Sequence, residues 1–415
     1  MNVQTMRLFR QRVRDELHNN IIPFWLTHAV DRQHGGFIGW MTNTLEVDPQ
    51  SHKGLILNAR LLWTISALAR SRGGVECAQM ARYAYDSLIR TFWDAECGGA
   101  FWRLRYDGQV LNATKKIYGQ AFVMYALVEY YLFSGDTEAL GRARQVFQLI
   151  ENHARDTHFN GYYESLERNW TLSSDQRLSD EDMDVPKSMN SHLHLLEAYT
   201  HLYSVWKDEL LRKRLQGLIA IFREHILDSQ KRHFQLFFDH QWNSQCGRIS
   251  FGHDIEGSWL LYRAAEVLNN PGLLGEVSEL AVRISQAVYV EGLDGWNGVF
   301  YEADAAGQMI PEKHFWCQAE AVVGFLNAYQ LSGEEEYMET AWRIWQFIEK
   351  YQVDKEHGDW FWKVYQDGRP DPDKPKVSEW KCPYHSGRAC LEIMHRLDGM
   401  IRQLDPSVGK YTQRV

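Results

Sequence analysis

One short pattern, repeated six times, limits what this chain can fold into. Each copy places aromatic residues beside a turn, usually one with glycine, and predicts a strand, a turn and a second strand. The copies recur about every 60–70 residues, and a fixed period indicates a repeat architecture. Dipeptides such as Asp107-Gly108 and Asp367-Gly368 follow some copies and are typical of hairpin turns. The copies are residues 34–37, 97–102, 160–163, 232–238, 297–301 and 357–362.

The segments between these copies have the apolar spacing of helices. With the charged amphipathic helix at the N-terminus, they predict two helices per repeat and twelve in all. Six helix pairs closing on themselves form an all-α (α/α)6 barrel, with inner helices, outer helices and short β-hairpins at one rim. No linker rich in proline, glycine or serine divides the chain, so we expect residues 1–415 to form one domain. The predicted helices are residues 58–69, 77–92, 119–132, 140–153, 189–203, 210–226, 255–268, 274–288, 320–331, 337–351 and 387–404.

Composition excludes several classes of function. The net charge of −9 is spread along the chain without a basic block, which argues against nucleic acid as a partner. The six cysteines are scattered without a Cys-x-x-Cys pair, as is typical of reduced thiols in the cytoplasm. No signal peptide is visible, and no apolar run reaches the ~18–20 residues that cross a membrane. The sixteen tryptophans suit a sugar-binding cleft or, alternatively, the core of a large barrel.

Residues 250–259 are the first candidate for chemistry. They mark the start of a helix, because Gly252 ends an extended segment and an apolar run follows. His253 and Glu256 are three residues apart and therefore share a face of that helix. At a helix N-terminus, such a pair can be tuned to transfer protons near neutral pH. Alternatively, His253 caps the helix and Glu256 only complements its dipole.

Other polar residues stand at the expected N-terminal ends of inner helices, where they would converge on the central cavity. Asn190 and His194 are four residues apart and share a helix face. Each residue also has a structural alternative: an arginine often pairs with a carboxylate of a neighbouring helix, and His194 could be an ordinary core histidine. The residues are Asn58, Arg60, Asp182, Asn190, His194, Trp380 and His385.

This set of side chains fits proton transfer without a cofactor. The chain has no Gly-x-Gly-x-x-Gly after a strand and no phosphate-binding loop. Zinc held by His194, His253 and Glu256 is an alternative, but we favour a site without metal. Removing a proton next to a carbonyl requires a base with a suitable pKa and donors that stabilise the enediolate. Arg60 and His194 are candidates for the donors, and two histidines facing one another would invert the carbon.

Five stretches together resemble the N-acylglucosamine 2-epimerase superfamily, most closely its cellobiose 2-epimerase branch. The resemblance extends over nearly the whole chain. It implies an (α/α)6 barrel and reversible 2-epimerisation of a reducing-end glucose to mannose, with no cofactor. This chain departs from the family pattern at Cys317, where proline is expected, and in the sequence of the hairpin around Asp182. The stretches are residues 57–60, 188–194, 250–256, 315–320 and 380–387.

The resemblance also implies roles for single residues. Arg60 and His194 hold the C1 and C2 oxygens, and His253 and His385 form the acid/base pair at C2. Glu256 assists ring opening and proton relay. Trp316 and Trp380 stack on sugar rings, and the remaining residues expected to contact substrate are Asn58, Tyr118, Asp182 and Asn190.

Several alternatives stay open from the sequence alone. The same enediol serves an isomerase or 2-epimerase of free mannose. An inverting glycosidase would need two carboxylates ~6.5–9.5 Å apart, with Asp182 and Glu256 as candidates. A non-catalytic carbohydrate- or protein-binding toroid is a third reading. The expected partner is a β-1,4-linked disaccharide or mannose, and we expect a monomer, with a dimer as the alternative.

Overall fold

The computed structural model describes residues 1–71 and 74–405, and helices make up most of this part of the chain. Helix α1 (Val3–Glu16) continues through a π-helical turn (Leu17–Ile21) into α2 (Ile22–His28). Within the described residues, this continuous helix and eleven others give the predicted twelve. The others are α3 (Leu55–Arg70), α4 (Gly74–Ser87), α5 (Ile117–Ser134), α6 (Thr137–His153), α7 (Met189–Val205), α8 (Glu209–Ile221), α9 (Phe251–Leu268), α10 (Pro271–Glu291), α11 (Phe315–Ser332), α12 (Glu335–Phe347) and α13 (Tyr384–Leu404).

The odd-numbered helices from α3 to α13 form a closed inner ring. Each packs against the next, and α13 packs against α3. The outer partner of α13 is the N-terminal helix α1, which buries Met6, Phe9 and Val13. The last helix therefore closes onto the first repeat as predicted, and the (α/α)6 barrel is confirmed. The first and the last described helices, α1 and α13, are therefore the two members of the sixth helix pair.

The pattern of buried side chains differs between the inner and the outer helices. In α5 every residue from Ile117 to Tyr130 is buried, because an inner helix has neighbours on all sides. The outer helix α6 buries one stripe, formed by Ala139, Ala143, Val146, Phe147 and Ile150, which is the spacing of an amphipathic helix. No helix within residues 1–71 and 74–405 combines the length and apolar character needed to cross a membrane.

The predicted hairpins lie at the N-terminal ends of the inner helices. The first N–H of α3, at Leu55, donates to the carbonyl of Trp102 in the next hairpin at 3.0 Å, and that of α5, at Ile117, donates to Glu164 at 2.9 Å. The antiparallel pairs are β1 (Lys53–Gly54) with β2 (Arg103–Leu104), β2 with β3 (Val110–Asn112), β4 (Lys115–Lys116) with β5 (Ser165–Leu166), β6 (Lys187–Ser188) with β7 (Phe237–Phe238), β8 (Glu302–Ala303) with β9 (Met309–Ile310), and β10 (Lys313–His314) with β11 (Lys363–Val364).

A buried lysine–aspartate pair locks several hairpins to the barrel. The lysine stands two residues before an inner helix, and the aspartate lies in the loop that follows an outer helix. In the third repeat Lys187 and Asp156 are 2.8 Å apart, with 0% and 2% of their side chains exposed. The equivalent pairs are Lys53 with Asp31, Lys115 with Asp94, and Lys313 with Asp294.

Breaking one of these pairs should destabilise the barrel. Lys187→Met leaves the Asp156 carboxylate buried without its cation, so the free energy of unfolding should fall by about 3–5 kcal/mol. Urea denaturation measures this change.

The matched control is Lys187→Met combined with Asp156→Asn, which removes both charges and keeps an acceptor for the N–H groups of His158 and Phe159. It should recover most of the loss. A single variant as stable as the wild type would contradict this assignment.

Candidate active site

A cavity of about 440 Å³ opens among the hairpins at the N-terminal ends of the inner helices. Ten of the eleven predicted site residues line it. The exception is Asn58, which is buried and donates from Nδ2 to the carbonyl of Gly54 at 2.8 Å, away from the cavity. The ten are Arg60, Tyr118, Asp182, Asn190, His194, His253, Glu256, Trp316, Trp380 and His385.

Most of these residues occupy two recurring helix positions, the second and the sixth. Positions four apart share a face, and seven of the ten residues that line the cavity stand at these two positions. The sequence repeat therefore places side chains around the cavity at two levels, about one helical turn apart. Second positions supply Tyr118, Asn190, Trp316 and His385, and sixth positions supply Arg60, His194, Glu256 and Glu320.

The guanidinium of Arg388 lies at the centre of a buried cluster. Its Nη2 donates to Glu256 Oε1 at 2.6 Å and to Glu320 Oε1 at 2.7 Å, and its Nη1 donates to Glu197. Tyr384 donates to the same Glu197 carboxylate at 2.6 Å. One cation therefore faces three carboxylates, each from a different helix.

Two carboxylates of this cluster hold histidines. Glu197 Oε2 lies 2.9 Å from His194 Nδ1, and Glu320 Oε1 lies 2.7 Å from His385 Nδ1. A carboxylate that accepts the Nδ1 proton leaves Nε2 unprotonated and able to take a proton from a ligand. His253 is held differently, with Nδ1 2.7 Å from the hydroxyl of Ser250.

Both acid/base candidates are neutral histidines. Burial, with the nearby His194 and Arg60, lowers the pKa of His253 to about 3. Burial and the charges of Arg60 and Arg388 hold the pKa of His385 well below its usual value. At neutral pH, both rings can therefore act as bases.

Glu256 has the opposite character. Burial and the negative charge of Glu320 raise its pKa to about 8, so this carboxyl holds a proton at neutral pH. Its Oε2 has no hydrogen-bond partner among the described residues. Burial would also raise the pKa of Glu197, but Arg388 and His194 outweigh it and lower that pKa to about 2. The cluster thus contains an acid beside a fixed anion.

The guanidinium of Arg60 is packed among aromatic side chains. Nη2 donates to the hydroxyl of Tyr118 at 2.7 Å. The guanidinium carbon lies 4.3 Å from the ring centroid of Phe122 and 4.9 Å from that of Tyr384. Its Nε has no hydrogen-bond partner among the described residues. The group is therefore suited to bind an oxygen that gains negative charge.

Two partly exposed tryptophans form apolar walls of the cavity. The Trp316 ring centroid lies 4.7 Å from that of His253 and 5.6 Å from that of His385. The Trp380 ring packs near Tyr118, at 5.9 Å. Glycine is needed at the second position of α9, because a Cβ on Gly252 would lie 2.5 Å from the Trp316 ring.

The predicted binding residues Asn190 and Asp182 lie at the same cavity. Asn190 Oδ1 is buried without a hydrogen-bond partner among the described residues. Asp182 accepts from the backbone N–H and the hydroxyl of Ser179, at 2.9 and 2.7 Å, so it shapes a loop that lines the cavity.

Four residues of the site were missed by sequence reasoning: Glu197, Glu320, Tyr384 and Arg388. Glu320 occupies the recurring sixth position, which was the available signal. Glu197 lies one helical turn after His194, and Tyr384 and Arg388 flank His385 in sequence. These side chains come from different helices, and Arg388 and Glu197 are 191 residues apart in the sequence.

The residues that could hold a metal ion differ from the zinc ligands predicted from the sequence. Among the described residues, Glu256, Glu320 and His385 have ligand atoms within 4.8 Å of one another. This is not the predicted set of His194, His253 and Glu256. The Arg388 guanidinium already bonds to both carboxylates, so the donors fit this organic cation better than a metal ion.

Comparison with known proteins decides the family. Residues 36–389 match the family model described as N-acylglucosamine 2-epimerase (GlcNAc 2-epimerase). The chain belongs to this family. It is 43% identical over 388 residues to the cellobiose 2-epimerase of Bacteroides fragilis, covering 93% of this chain and 99% of the relative. It is 36% identical to that of Dictyoglomus turgidum, covering 94% and 100%.

Solved structures of family members agree with this assignment. The cellobiose 2-epimerase from Bacillus thermoamylovorans has a TM-score of 0.90 at 36% identity, covering 94% of this chain and 100% of that one. A D-mannose isomerase has a TM-score of 0.79 at 21% identity, covering 93% and 97%, and this similarity shows the fold alone. The predicted resemblance is confirmed.

The raised pKa of Glu256 predicts a stability that depends on pH. The pKa of this carboxyl is 4.5 in the unfolded chain and about 8 in the folded protein. Its stabilising contribution is complete below the lower value and is lost as pH rises toward the upper one, because the folded state holds the extra proton. Glu256→Gln should therefore weaken the fall of the free energy of unfolding above about pH 5.

Urea denaturation across that pH range measures the slope. The control is Glu279→Gln, at a carboxylate whose side chain is 79% exposed, which should leave the slope unchanged. The same slope in the Glu256→Gln variant and the wild type would show that Glu256 is ionised.

Proposed function

We propose that the protein is a cofactor-independent 2-epimerase that interconverts glucose and mannose units at the reducing end of β-1,4-linked disaccharides such as cellobiose and lactose. One observation carries the proposal. Two neutral histidines, His253 and His385, both pack against Trp316 in one cavity. A sugar stacked on that tryptophan lies within reach of two bases, as inversion of one carbon requires.

Ring opening comes first in the proposed reaction. The protonated Glu256 carboxyl donates to the ring oxygen while a neutral histidine takes the proton of the C1 hydroxyl. The raised pKa of Glu256, at about 8, supports its role as the acid. The product is an open-chain aldehyde in which the proton at C2 is acidic.

Proton transfer at C2 follows. One histidine removes the C2 proton and forms a cis-enediolate. The other, which took up the C1 hydroxyl proton during ring opening, delivers that proton to the opposite face. Arg60 donates to the C1 oxygen, which gains negative charge. His194 Nε2 accepts from the C2 hydroxyl, since Nδ1 is turned to Glu197. Ring closure then gives the epimer.

Disaccharides are favoured over free sugars by the site and by the family. Besides Trp316, the cavity of about 440 Å³ is lined by Trp380, Trp362 and Tyr301, which offer further stacking surface. The curated relatives from Bacteroides fragilis, Dictyoglomus turgidum and Ruminococcus albus, at 43%, 36% and 37% identity, are cellobiose 2-epimerases. The alternative is an isomerase or 2-epimerase acting on free mannose.

Hydrolysis is less well supported. It needs a carboxylate pair across the scissile bond, and Asp182 has its carboxylate turned to Ser179. It would also leave His253 and His385 without a task. The family 76 glycoside hydrolases that share the fold are 11–12% identical, which shows the fold alone.

The domain organisation, the cellular location and the partners of the protein can also be proposed. We propose that residues 1–415 form a single catalytic domain, supported by the closed inner ring. We also propose a cytoplasmic monomer that needs neither cofactor nor metal and binds neither nucleic acid nor membranes. The six cysteines support a reducing compartment, since all are free thiols.

Incubation with cellobiose in D2O tests the reaction. The expected product is 4-O-β-D-glucosyl-D-mannose with deuterium at C2, followed by NMR, with no added cofactor. Fructose from mannose without turnover of the disaccharide would favour the isomerase, and release of monosaccharide would indicate hydrolysis. Either result would overturn the proposal.

Removing one base at a time tests the two-histidine mechanism. His253→Ala and His385→Ala should each lower the rate of epimerisation by about 10²–10⁴-fold. Each variant should still exchange the C2 proton of one epimer with D2O, and the two variants should differ in which epimer exchanges. Full activity in either variant, or exchange of the same epimer by both, would contradict the assignment.

A further inference from the structure

The fourth residue of four inner helices anchors the adjoining hairpin. Each of these side chains is fully buried and accepts a hydrogen bond from a backbone N–H. The pairs are Gln120 with Ala100 (2.9 Å), His192 with Tyr162 (3.0 Å), Asp254 with Phe234 (2.7 Å) and Gln318 with Val299 (2.8 Å).

Asp254 of α9 is the one carboxylate among these four anchors. A fully buried carboxylate is costly unless a cation faces it. Here the cation is His233, whose Nδ1 lies 2.8 Å from Asp254 Oδ2. Its Nε2 lies 3.3 Å from Glu291 Oε2, at the end of α10. The imidazole, with 4% of its side chain exposed, therefore bridges two carboxylates.

His233 replaces a cation that other repeats place elsewhere. The corresponding hairpin position is glycine in three repeats, at Gly99, Gly161 and Gly298. Those repeats carry their buried cation as a lysine two residues before the inner helix, where the α9 repeat has Ile249. The repeat that carries His253 and Glu256 has thus exchanged a lysine for a histidine, which can lose its proton near neutral pH.

The charges around His233 favour its protonated form. Burial lowers the pKa of His233, but the hydrogen bonds and charges of Asp254 and Glu291 outweigh burial and raise it above 6.5. The hairpin itself places Lys231 and Arg232 directly before it. Burial raises the pKa of Asp254, and the protonated ring opposes this shift by favouring the carboxylate.

Asp254 and His253 are neighbours in the first turn of α9. The Asp254 side chain points outward to the hairpin, and His253 lines the cavity. A displacement of this turn would move His253, and with it Glu256, relative to a bound sugar. Misplacement by about 1 Å costs as much as 10²-fold in rate.

We propose that the His233–Asp254 ion pair is a positioning element that anchors the first turn of α9 and so places His253 at C2 of the sugar. This inference rests on the proposed function. His233 lines no part of the cavity and acts through Asp254. Activity should therefore decline as pH rises and His233 loses its proton, since Asp254 then lacks its cation.

The chain offers a neutral replacement for the test. Gly99–Gln120 and Gly298–Gln318 show that glycine and glutamine satisfy the same two positions without charge. The single variant His233→Gly leaves Asp254 uncompensated and should lower kcat by about 10–100-fold, with KM within about threefold. The double variant His233→Gly/Asp254→Gln should recover kcat to within about threefold of the wild type and lose the part of the alkaline decline that His233 causes.

Two controls separate positioning from general stability. Lys187→Met breaks a buried pair in another repeat and should lower the melting temperature while leaving the pH profile of kcat unchanged. An NMR titration of His233 uses the wild-type protein without sugar, so its result does not depend on whether a variant folds. It should give a pKa above the ordinary value of 6.5.

Unchanged kcat in His233→Gly, a double variant no better than the single one, or a His233 pKa below 6.5 would each overturn the inference. Failure of the wild type to epimerise any sugar would instead overturn the proposed function, and the titration would still report on the ion pair.

Discussion

The buried guanidinium of Arg388 is the interaction on which the active site depends. It reaches from α13 to Glu197 of α7, Glu256 of α9 and Glu320 of α11, so one cation fixes four inner helices relative to one another. Each carboxylate would be costly to bury alone. Because two of them also hold His194 and His385, the network that joins the helices sets the orientation of the histidines as well.

The imbalance of this network creates its chemistry. One guanidinium cannot compensate three buried carboxylates, so the pKa values of Glu256 and Glu320 both rise, that of Glu256 to about 8. The same burial, with the positive charge of Arg60, keeps the His253 and His385 rings neutral. The side chains of this one site thus supply an acid and two bases at the same pH.

The repeats provide the scaffold, and departures from them mark function. Hairpins are held by lysine–aspartate pairs and by the fourth residue of inner helices, with small variations. The α9 repeat departs twice, at Ile249 and at Asp254 with His233. It also carries His253 and Glu256. Positions that break a local rule at such a site are expected to contribute to its function.

Much of this protein was determined by its sequence alone. The recurring hairpins and the apolar spacing predicted the barrel. The helix ends predicted eight of the residues that line the cavity, and the family resemblance added Tyr118 and Trp316. Such features are local, because a periodic pattern reports which face of a helix is buried. The second and sixth positions follow from the same rule. The N-terminal helix was predicted as a helix, but its role as the outer partner of α13 was not.

Only the tertiary structure decided how those faces meet. Sequence spacing does not show that Arg388 reaches Glu197 across 191 residues, or that Asn58, in the first turn of the helix that carries Arg60, donates to its own Gly54. Nor does it show that His233 neutralises Asp254. Burial and charge compensation are properties of neighbours brought together by ring closure, and these neighbours determine which carboxyl holds a proton and which histidine does not.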